Sequence, residues 1–176
     1  NTMLVDIKPT PDQEDYIDVL KKFAKDGDFR LIGIDNPTDK QKKAKMLYAT
    51  DQARKMSLDM RMISPAYGDH PDNKASRCAA LIKKYYDAFS DQKGTQLVFS
   101  DLSTYQGSNG PWNVYSEIKR KLVSEYGIRP GEVRFIQECK TDKAKQQMIA
   151  DVNDGKIRVL FGSTSMLGTG VNAQQR

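Results

Sequence analysis

Residues 96–104 read QLVFSDLST, and residues 157–172 read IRVLFGSTSMLGTGVN. Each stretch begins with a short run of apolar, mostly β-branched or aromatic residues and continues into hydroxyl, amide or glycine residues. A third apolar run, VRFI, occupies residues 133–136. Short apolar runs bounded by polar residues predict buried strands, here over residues 96–100, 133–136 and 157–161.

Helical patterns separate these three predicted strands. One helix is expected over about residues 112–126, with Tyr115, Ile118 and Leu122 turned inward, and another over about residues 142–153. Strands that alternate with helices of this length are typical of parallel βαβ units. The sequence therefore predicts an α/β fold, in which a parallel sheet is flanked by helices. Because the pattern ends after the third strand, we expect the sheet to be truncated in this chain.

The first half of the chain has the pattern of helices instead. Pro9-Thr10-Pro11 predicts the start of a helix, and Gly27 predicts its end. A second helix is expected over about residues 39–58, and a third after the Pro- and Gly-containing loop of residues 64–73. The residues expected on the inward side of the third helix are Cys78, Leu81, Ile82, Tyr85 and Phe89.

The composition is polar with a small basic excess. The 176 residues include 28 Lys and Arg against 23 Asp and Glu, which gives a formal net charge of +5. Residues 1–92, which we assign to a helical lead-in, hold 16 basic and 15 acidic side chains, net +1. Residues 93–176, which we assign to the α/β part, hold 12 and 8, net +4. The basic excess therefore accompanies the predicted strands, although many surfaces that never meet nucleic acid carry as much.

Several classes of protein and site are disfavoured. No apolar run reaches the roughly 18 residues of a membrane helix, and no signal-peptide pattern is present, so we expect a cytoplasmic protein without membrane contact. Cys78 and Cys139 lie far apart and His70 is the single histidine, which disfavours a zinc site, a disulfide scaffold and a Ser-His-Asp triad. The cysteines are expected to be ordinary buried thiols. Since the chain begins with Asn1, we expect it to be part of a longer protein.

Two polar loops follow predicted strands at the edge of the sheet where ligands gather in open α/β folds. They cover residues 100–104 and 162–172. Short hydroxyl side chains and backbone N–H groups bind phosphates without reading bases, and glycines let the backbone approach a ligand closely. Taken singly, each loop is equally compatible with an ordinary strand-to-helix turn. The chain has no G-x-x-x-x-G-K-[ST] and no G-x-G-x-x-G, so no nucleotide-phosphate loop of either type is predicted.

Taken together, the segments resemble the second RecA-like lobe of superfamily 2 helicases, on the Swi/Snf-like branch. QLVFSDLST resembles helicase motif IV, and STSMLGTGVN, residues 163–172, matches motif V of that branch. These motif sequences are most similar to the helicase portion of DNA methylase–helicase fusion proteins of phages, plasmids and conjugative elements. The resemblance covers about residues 64–176, and residues 1–60 are compatible with a helical interlobe connection. The fold that it implies is RecA-like, of the P-loop NTPase type.

The sequence also departs from the pattern of this branch. A glycine usually follows the middle strand, where this chain has Gln137-Glu138-Cys139. The arginine-bearing motif VI would be expected just after Arg176, and motifs I, II and III of the first lobe are absent from the sequence. We therefore expect no catalytic and no metal-binding residue in this chain.

The resemblance implies two groups of site residues. The group expected to contact the nucleic-acid backbone is Ser100, Ser103, Thr104, Ser163 and Thr164. The group expected to face the ATP cleft and couple the two sites is Gly168, Thr169, Gly170, Asn172 and Gln175.

The function that these motifs imply is that of part of an ATP-dependent DNA helicase or translocase, a hydrolase of a bacterial or mobile-element system. ATP and magnesium are expected in the full-length parent, with none tightly bound to this chain alone. The expected partners are DNA, contacted non-specifically through its backbone, and the missing N-terminal RecA-like lobe of the same polypeptide.

Other readings stay open beside this one. The chain could be a non-catalytic α/β interaction module that binds a protein partner or a phosphorylated ligand. The sequence that follows Arg176 would distinguish the helicase from the interaction module. A Q-x-x-G-R-like stretch there favours the helicase, and a stop codon favours the module. A methyltransferase is disfavoured, since neither its catalytic tetrapeptide nor its cofactor glycine loop is present. Trp112 is expected to pack at a helix start rather than stack on a base. Five lysines could form a DNA-facing surface, but the outer faces of helices are usually charged in any case. They are Lys119, Lys121, Lys143, Lys145 and Lys156.

Overall fold

The structure is a computed structural model that describes residues 2–163. Its helices are α1 (Pro11–Asp26), α2 (Asp39–Lys43), α3 (Lys45–Leu58), α4 (Lys74–Ala88), α5 (Val114–Ser124) and α6 (Asp142–Asn153). Its strands are β1 (Gln96–Phe99), β2 (Val133–Phe135) and β3 (Val159–Gly162). Short 3₁₀ turns lie at Phe29–Ile32, Met60–Met62, Pro130–Glu132 and Ile136–Glu138. None of the helices within residues 2–163 is long and apolar enough to cross a membrane.

The chain forms two compact units, one up to Lys74 and the other from Ala75 onward. The sequence had grouped all residues up to 92 as one helical part, whereas here nearly all of α4 belongs to the second unit. The first unit is built from helices and turns, and the second contains the strands. Each unit has its own core, so the two are described separately.

The first unit is centred on the packing of α1 against α3. Thr10 begins α1 with its backbone N–H bonded to Oε1 of Gln13 at 2.9 Å, and Gly27 ends it in the left-handed conformation, as predicted. The amide of Gln13 also donates to the carbonyl of Met56 at 2.7 Å, which ties α1 to α3. The buried apolar side chains of the unit include Tyr16, Leu20, Phe23, Phe29, Ala49, Met56 and Met60.

The single helix predicted over residues 39–58 is wrong, because the chain breaks it into α2 and α3 at Ala44. Ala44 has φ −94° and ψ 17°, outside the helical region. The next residue, Lys45, donates from Nζ to the carbonyl of Ala24 at 2.6 Å. A lysine at the carboxyl end of a helix satisfies backbone oxygens that the helix leaves unpaired. The break between α2 and α3 is thus followed by a lysine of α3 whose side chain caps the carboxyl end of α1.

The second unit contains a three-stranded, fully parallel sheet with strand order β1-β3-β2. The α/β class and the parallel pairing predicted from the sequence are confirmed. In β3, Val159, Leu160 and Phe161 are fully buried, as expected for the central strand of a parallel sheet. On one side of the sheet Leu160 belongs to a cluster with Ile136, Met148, Val152 and Ile157.

The expectation that β1 is a buried strand is wrong. Leu97 is 44% exposed and Phe99 48% exposed, while alternate residues of the strand are partly buried. Within the described residues β1 pairs only with β3, so it is an edge strand with one face open. Periodicity alone cannot separate an edge strand from a central one when its sequence is a continuous apolar run.

The inward face predicted for α4 is also partly wrong. The fully buried positions are Ala75, Ala79 and Ile82, whereas Phe89, expected to face inward, lies beyond the helix end and is 49% exposed. Small alanine side chains allow a helix to approach its neighbours closely. The prediction followed the larger apolar residues instead and therefore missed this face of α4. Tyr85 stacks on Phe89, with ring centroids 6.3 Å apart.

A buried arginine closes the end of the sheet where the strands begin. Arg158 is 4% exposed and donates from Nε to the carbonyl of Gly94 at 2.7 Å and from a terminal nitrogen to the carbonyl of Tyr86 at 2.8 Å. Its guanidinium lies 4.2 Å from the centre of the Tyr86 ring. The Tyr86 hydroxyl in turn donates to Glu132 at 3.0 Å, just before β2. This network joins α4, β2 and β3 and satisfies a charge that burial alone would penalise.

Substitution of Gly127 by alanine should destabilise the second unit through backbone conformation alone. Gly127 follows α5 at φ +71°, and a Cβ there would meet no atom within 4 Å. A left-handed backbone costs an L-residue about 1–2 kcal/mol, so we expect a loss of about 1 kcal/mol. Urea denaturation followed by the fluorescence of Trp112, the single tryptophan, measures it. The matched control, Gly131→Ala, has equal space and no positive φ, and should change stability by less than about 0.5 kcal/mol. Equal unfolding midpoints for the two variants would contradict the prediction.

Candidate functional site

The carboxyl ends of β1 and β3 lie side by side. Phe99, the last residue of β1, is paired in register with Gly162, the last residue of β3. Ser100 and Ser163 therefore leave the sheet from neighbouring strands at the same edge. This is the juxtaposition that the two polar loops of the sequence required, and it defines the candidate site.

The hydroxyls of the loop after β1 are engaged within the protein. Ser100 donates from Oγ to the carbonyl of Leu102 at 2.7 Å, which forms a tight local turn. Oγ of Ser103 accepts the backbone N–H of Val114 at 2.9 Å, at the start of α5. Ser103 itself has φ +61°, a conformation uncommon for a residue with a side chain. Thr104 is half-buried behind it. The loop is thus a structured turn anchored on α5.

Tyr115 joins the two strand ends through one hydroxyl. The hydroxyl accepts the backbone N–H of Ser100 at 2.8 Å and donates to the carbonyl of Gly162 in a short hydrogen bond. The residue is fully buried, and this burial raises the pKa of the phenol. The sequence predicted that Tyr115 turns inward, which is confirmed, but apolar spacing gave no sign of the role of its hydroxyl.

An aromatic cluster lies beneath this edge. Tyr105 stacks on Phe135 with ring centroids 4.4 Å apart and an interplanar angle of 9°. Phe161 contacts both Phe135, at 5.2 Å, and Tyr115, at 4.9 Å. Such ring pairs contribute about 0.5–1.5 kcal/mol each beyond their buried area. The cluster therefore gives the loops a rigid base drawn from β2, β3 and α5.

The loop after β2 is closed by an ion pair. Glu138 accepts from Nε of Arg134 at 2.7 Å, and its other oxygen accepts the backbone N–H of Phe135 at 3.3 Å. The acidic side chain that stands where the helicase branch has a glycine thus turns back onto its own strand. Cys139 follows, partly buried against Met148.

The start of α5 is held by its own side chains. Asn113 accepts the backbone N–H of Ser116 at 2.8 Å, as an N-cap residue does. The indole nitrogen of Trp112 donates to Glu117 at 3.1 Å. Trp112 therefore does pack at the helix start, as the sequence predicted.

Not all of the lysines proposed as DNA-facing lie at the surface. Lys121 is 2% exposed and pairs with Glu125 at 3.4 Å, so its assignment to a solvent-facing surface is wrong. Burial lowers the pKa of Lys119, whose Nζ lies 5.3 Å from the centre of the Phe135 ring. Lys156 pairs with two nearby aspartates at 3.6 Å. Lys121 faces inward because α5 is covered on more of its circumference than its apolar stripe indicates.

The remaining predicted site residues lie outside the described part of the chain. They are Thr164, Gly168, Thr169, Gly170, Asn172 and Gln175. Among residues 2–163, no group of three or more histidine, cysteine, aspartate or glutamate side chains is arranged to hold a metal ion.

Comparison with known proteins gives no match. No family model matches the chain, and no curated protein or solved structure is significantly similar to it.

Cys78 should be unreactive toward thiol reagents while the chain is folded. Burial raises its pKa to about 11 from the usual 9.0, and burial also raises that of Cys139. Because the thiolate is the reactive form, a two-unit rise lowers its population about hundredfold below pH 9. We expect alkylation of Cys78 by iodoacetamide at pH 8, followed by peptide mass spectrometry, to be at least about hundredfold slower than in the urea-unfolded chain.

The same shift predicts a loss of stability at alkaline pH. The folded state keeps the proton of Cys78 that the unfolded state releases. The contribution of the protonated thiol to the free energy of unfolding is therefore complete below about pH 9 and declines as the pH rises to about 11.

For the alkylation experiment, similar rates for the folded and the unfolded chain would show that the Cys78 thiol is not shielded.

Proposed function

We propose that this chain is part of the second RecA-like lobe of a superfamily 2 DNA helicase or translocase. In this role it contributes contacts to the DNA backbone and the lobe-two side of an ATP cleft. The observation that carries the proposal is the paired register of Phe99 with Gly162. It brings the loop after the motif IV-like strand beside the start of the motif V-like segment, as a shared phosphate-binding edge requires.

The chemistry of the edge supports contact with phosphates rather than with bases. Serine and threonine hydroxyls and backbone N–H groups bind phosphate oxygens, which carry no sequence information. The α/β part has a net charge of +4, which favours DNA only modestly. Binding through such an edge is weak and independent of base sequence.

The proposal leaves nucleotide chemistry to the parent protein. Magnesium would be held by the first lobe. The predicted ATP-facing residues from Gly168 onward would complete the cleft from the second lobe. Closure of the lobes over ATP would then move one set of phosphate contacts relative to the other, as in hinge-type domain closure. The compartment that suits this role is the cytoplasm of a bacterial cell.

The chain should bind duplex DNA weakly and without sequence preference. Two fluorescent duplexes of about 20 base pairs with unrelated sequences should show equal affinities by polarisation at 50 mM salt, and both should weaken as salt rises to 200 mM. Thr104→Ala should weaken binding, whereas Ser124→Ala, at the exposed far end of α5, should leave it unchanged. Sequence-specific binding that survives 200 mM salt would contradict the proposal.

The same titration separates the interaction-module alternative. If the chain binds neither duplex at 50 mM salt, the DNA-contacting role is wrong, and the α/β unit is better explained as a module for a protein or a phosphorylated ligand.

The chain alone should not hydrolyse ATP, with or without DNA. Its sequence contains neither the phosphate-binding loop nor the other first-lobe motifs that hold ATP and magnesium. A phosphate-release assay should therefore give the rate of buffer alone. DNA-stimulated turnover by the purified chain, after removal of contaminating ATPases, would overturn the assignment to the second lobe.

A further inference from the structure

Two consecutive residues at the start of α5 connect the loop after β1 to the end of β3. The backbone N–H of Val114 binds Oγ of Ser103, at 2.9 Å. The hydroxyl of Tyr115 binds the N–H of Ser100, at 2.8 Å, and the carbonyl of Gly162. Three points of the edge, two in the loop after β1 and one at the end of β3, are thus fixed by one helical turn.

The packing of the Tyr115 ring does not explain its hydroxyl. A phenylalanine would make the same ring contacts with Phe135 and Phe161. A buried hydroxyl is penalised unless it is hydrogen-bonded, and here both of its partners are backbone groups from different strand ends. The bond to Tyr115 occupies the N–H of Ser100, and the hydroxyl of Ser100 is donated to Leu102, so both donors of this residue are used within the protein. In the loop after β1, the phosphate contacts are therefore left to Ser103 and Thr104. The Tyr115 hydroxyl therefore sets the position of the loop instead of leaving it to move independently of β3.

The loop conformation depends on the second contact. Ser103 has a positive φ of 61°, which residues with a Cβ adopt at an energetic cost. Its bond to Val114 offsets that cost and holds Ser103 in this conformation. Without the bond, the loop can relax to an ordinary negative φ and change the direction of its N–H groups.

We propose that the first turn of α5, through Val114 and Tyr115, is a positioning element that holds the loop after β1 against the end of β3, where Ser163 follows. This inference rests on the proposed contact of the edge with DNA. It adds that the loop after β1 and the end of β3 act as one rigid grip rather than as two independent contacts. Neither residue touches DNA in this arrangement, and both act through Ser100, Ser103 and Gly162.

Tyr115→Phe tests the proposal because it keeps the ring and removes the bridge. The matched control is Tyr86→Phe, which removes a half-buried hydroxyl bonded to Glu132 at the opposite end of the sheet. We expect Tyr115→Phe to weaken duplex binding about fivefold at 50 mM salt, which corresponds to the net value of one hydrogen bond. Tyr86→Phe should bind as the unaltered chain does.

The salt dependence separates positioning from loss of fold. Positioning of neutral contacts changes the affinity but not the number of cations released, so the slope of log K against log salt should stay the same in Tyr115→Phe. The fraction of chain competent to bind, measured by stoichiometric titration, should also be unchanged. A reduced competent fraction with unaltered affinity would show a structural role only and would overturn the proposal.

Val114→Pro provides a second test if Tyr115→Phe does not fold. Val114 is the first residue of α5, where proline is well tolerated, and Asn113 before it already has the extended backbone that proline prefers. The variant removes the N–H that binds Ser103 and also replaces the buried valine side chain, so its control is Val114→Ala, which keeps the N–H. Val114→Pro should weaken DNA binding more than Val114→Ala does, without a change in slope. If the unaltered chain binds DNA and both variants match it, the positioning role fails while the proposed function stands. If the unaltered chain does not bind, both fail.

Discussion

The central position of β3 is the constraint on which the second unit depends. A strand with parallel partners on both sides must have both backbone ladders satisfied and both faces covered. Val159, Leu160 and Phe161 meet this condition, with no exposed surface at any of the three. Because β1 and β2 both pair with β3 in a single register, the positions of their ends follow from it. A one-residue slip would reverse every side chain of a strand and would separate the two polar loops.

A buried polar side chain lies at each end of the sheet. Where the strands begin, Arg158 uses its guanidinium on two carbonyls and an aromatic ring, which ties that end to α4. Where β1 and β3 end, Tyr115 contributes only one hydroxyl. The loop after β1 is held there by the N–H of Ser100 on Tyr115 and by Oγ of Ser103 on Val114. The chemistry of the chain is therefore expected at the second end, where rigid backbone and polar loops coincide.

The sequence predicted the parts of the fold that depend on local pattern. Helix α6 has the predicted bounds, and α5 carries its predicted apolar stripe because neighbouring turns decide both. The open face of β1, the break at Ala44 and the burial of Lys121 depend on tertiary neighbours, which a single sequence does not reveal. At the candidate site, the loop after β1 was predicted from its hydroxyl content, and the prediction for residues 164–172 lies outside the described part of the chain. The bridge through Tyr115 was not predicted, since a tyrosine in an apolar stripe looks the same whether or not its hydroxyl has a partner.

The balance of charge and rigidity at the edge fits a contact that must be made and released repeatedly. A grip built on many cations binds DNA tightly and leaves it slowly, because each phosphate contact adds to the salt-dependent affinity. The loop after β1 presents neutral hydroxyl and backbone groups and one carboxylate, that of Asp101, on a base of stacked aromatic rings. Neutral contacts are weak one by one, so their usefulness depends on simultaneous engagement with phosphates of fixed spacing. The loop after β1 meets that requirement, because its conformation is already fixed by folding through its bonds to α5. In the proposed translocase role, rigidity thus takes the place of charge.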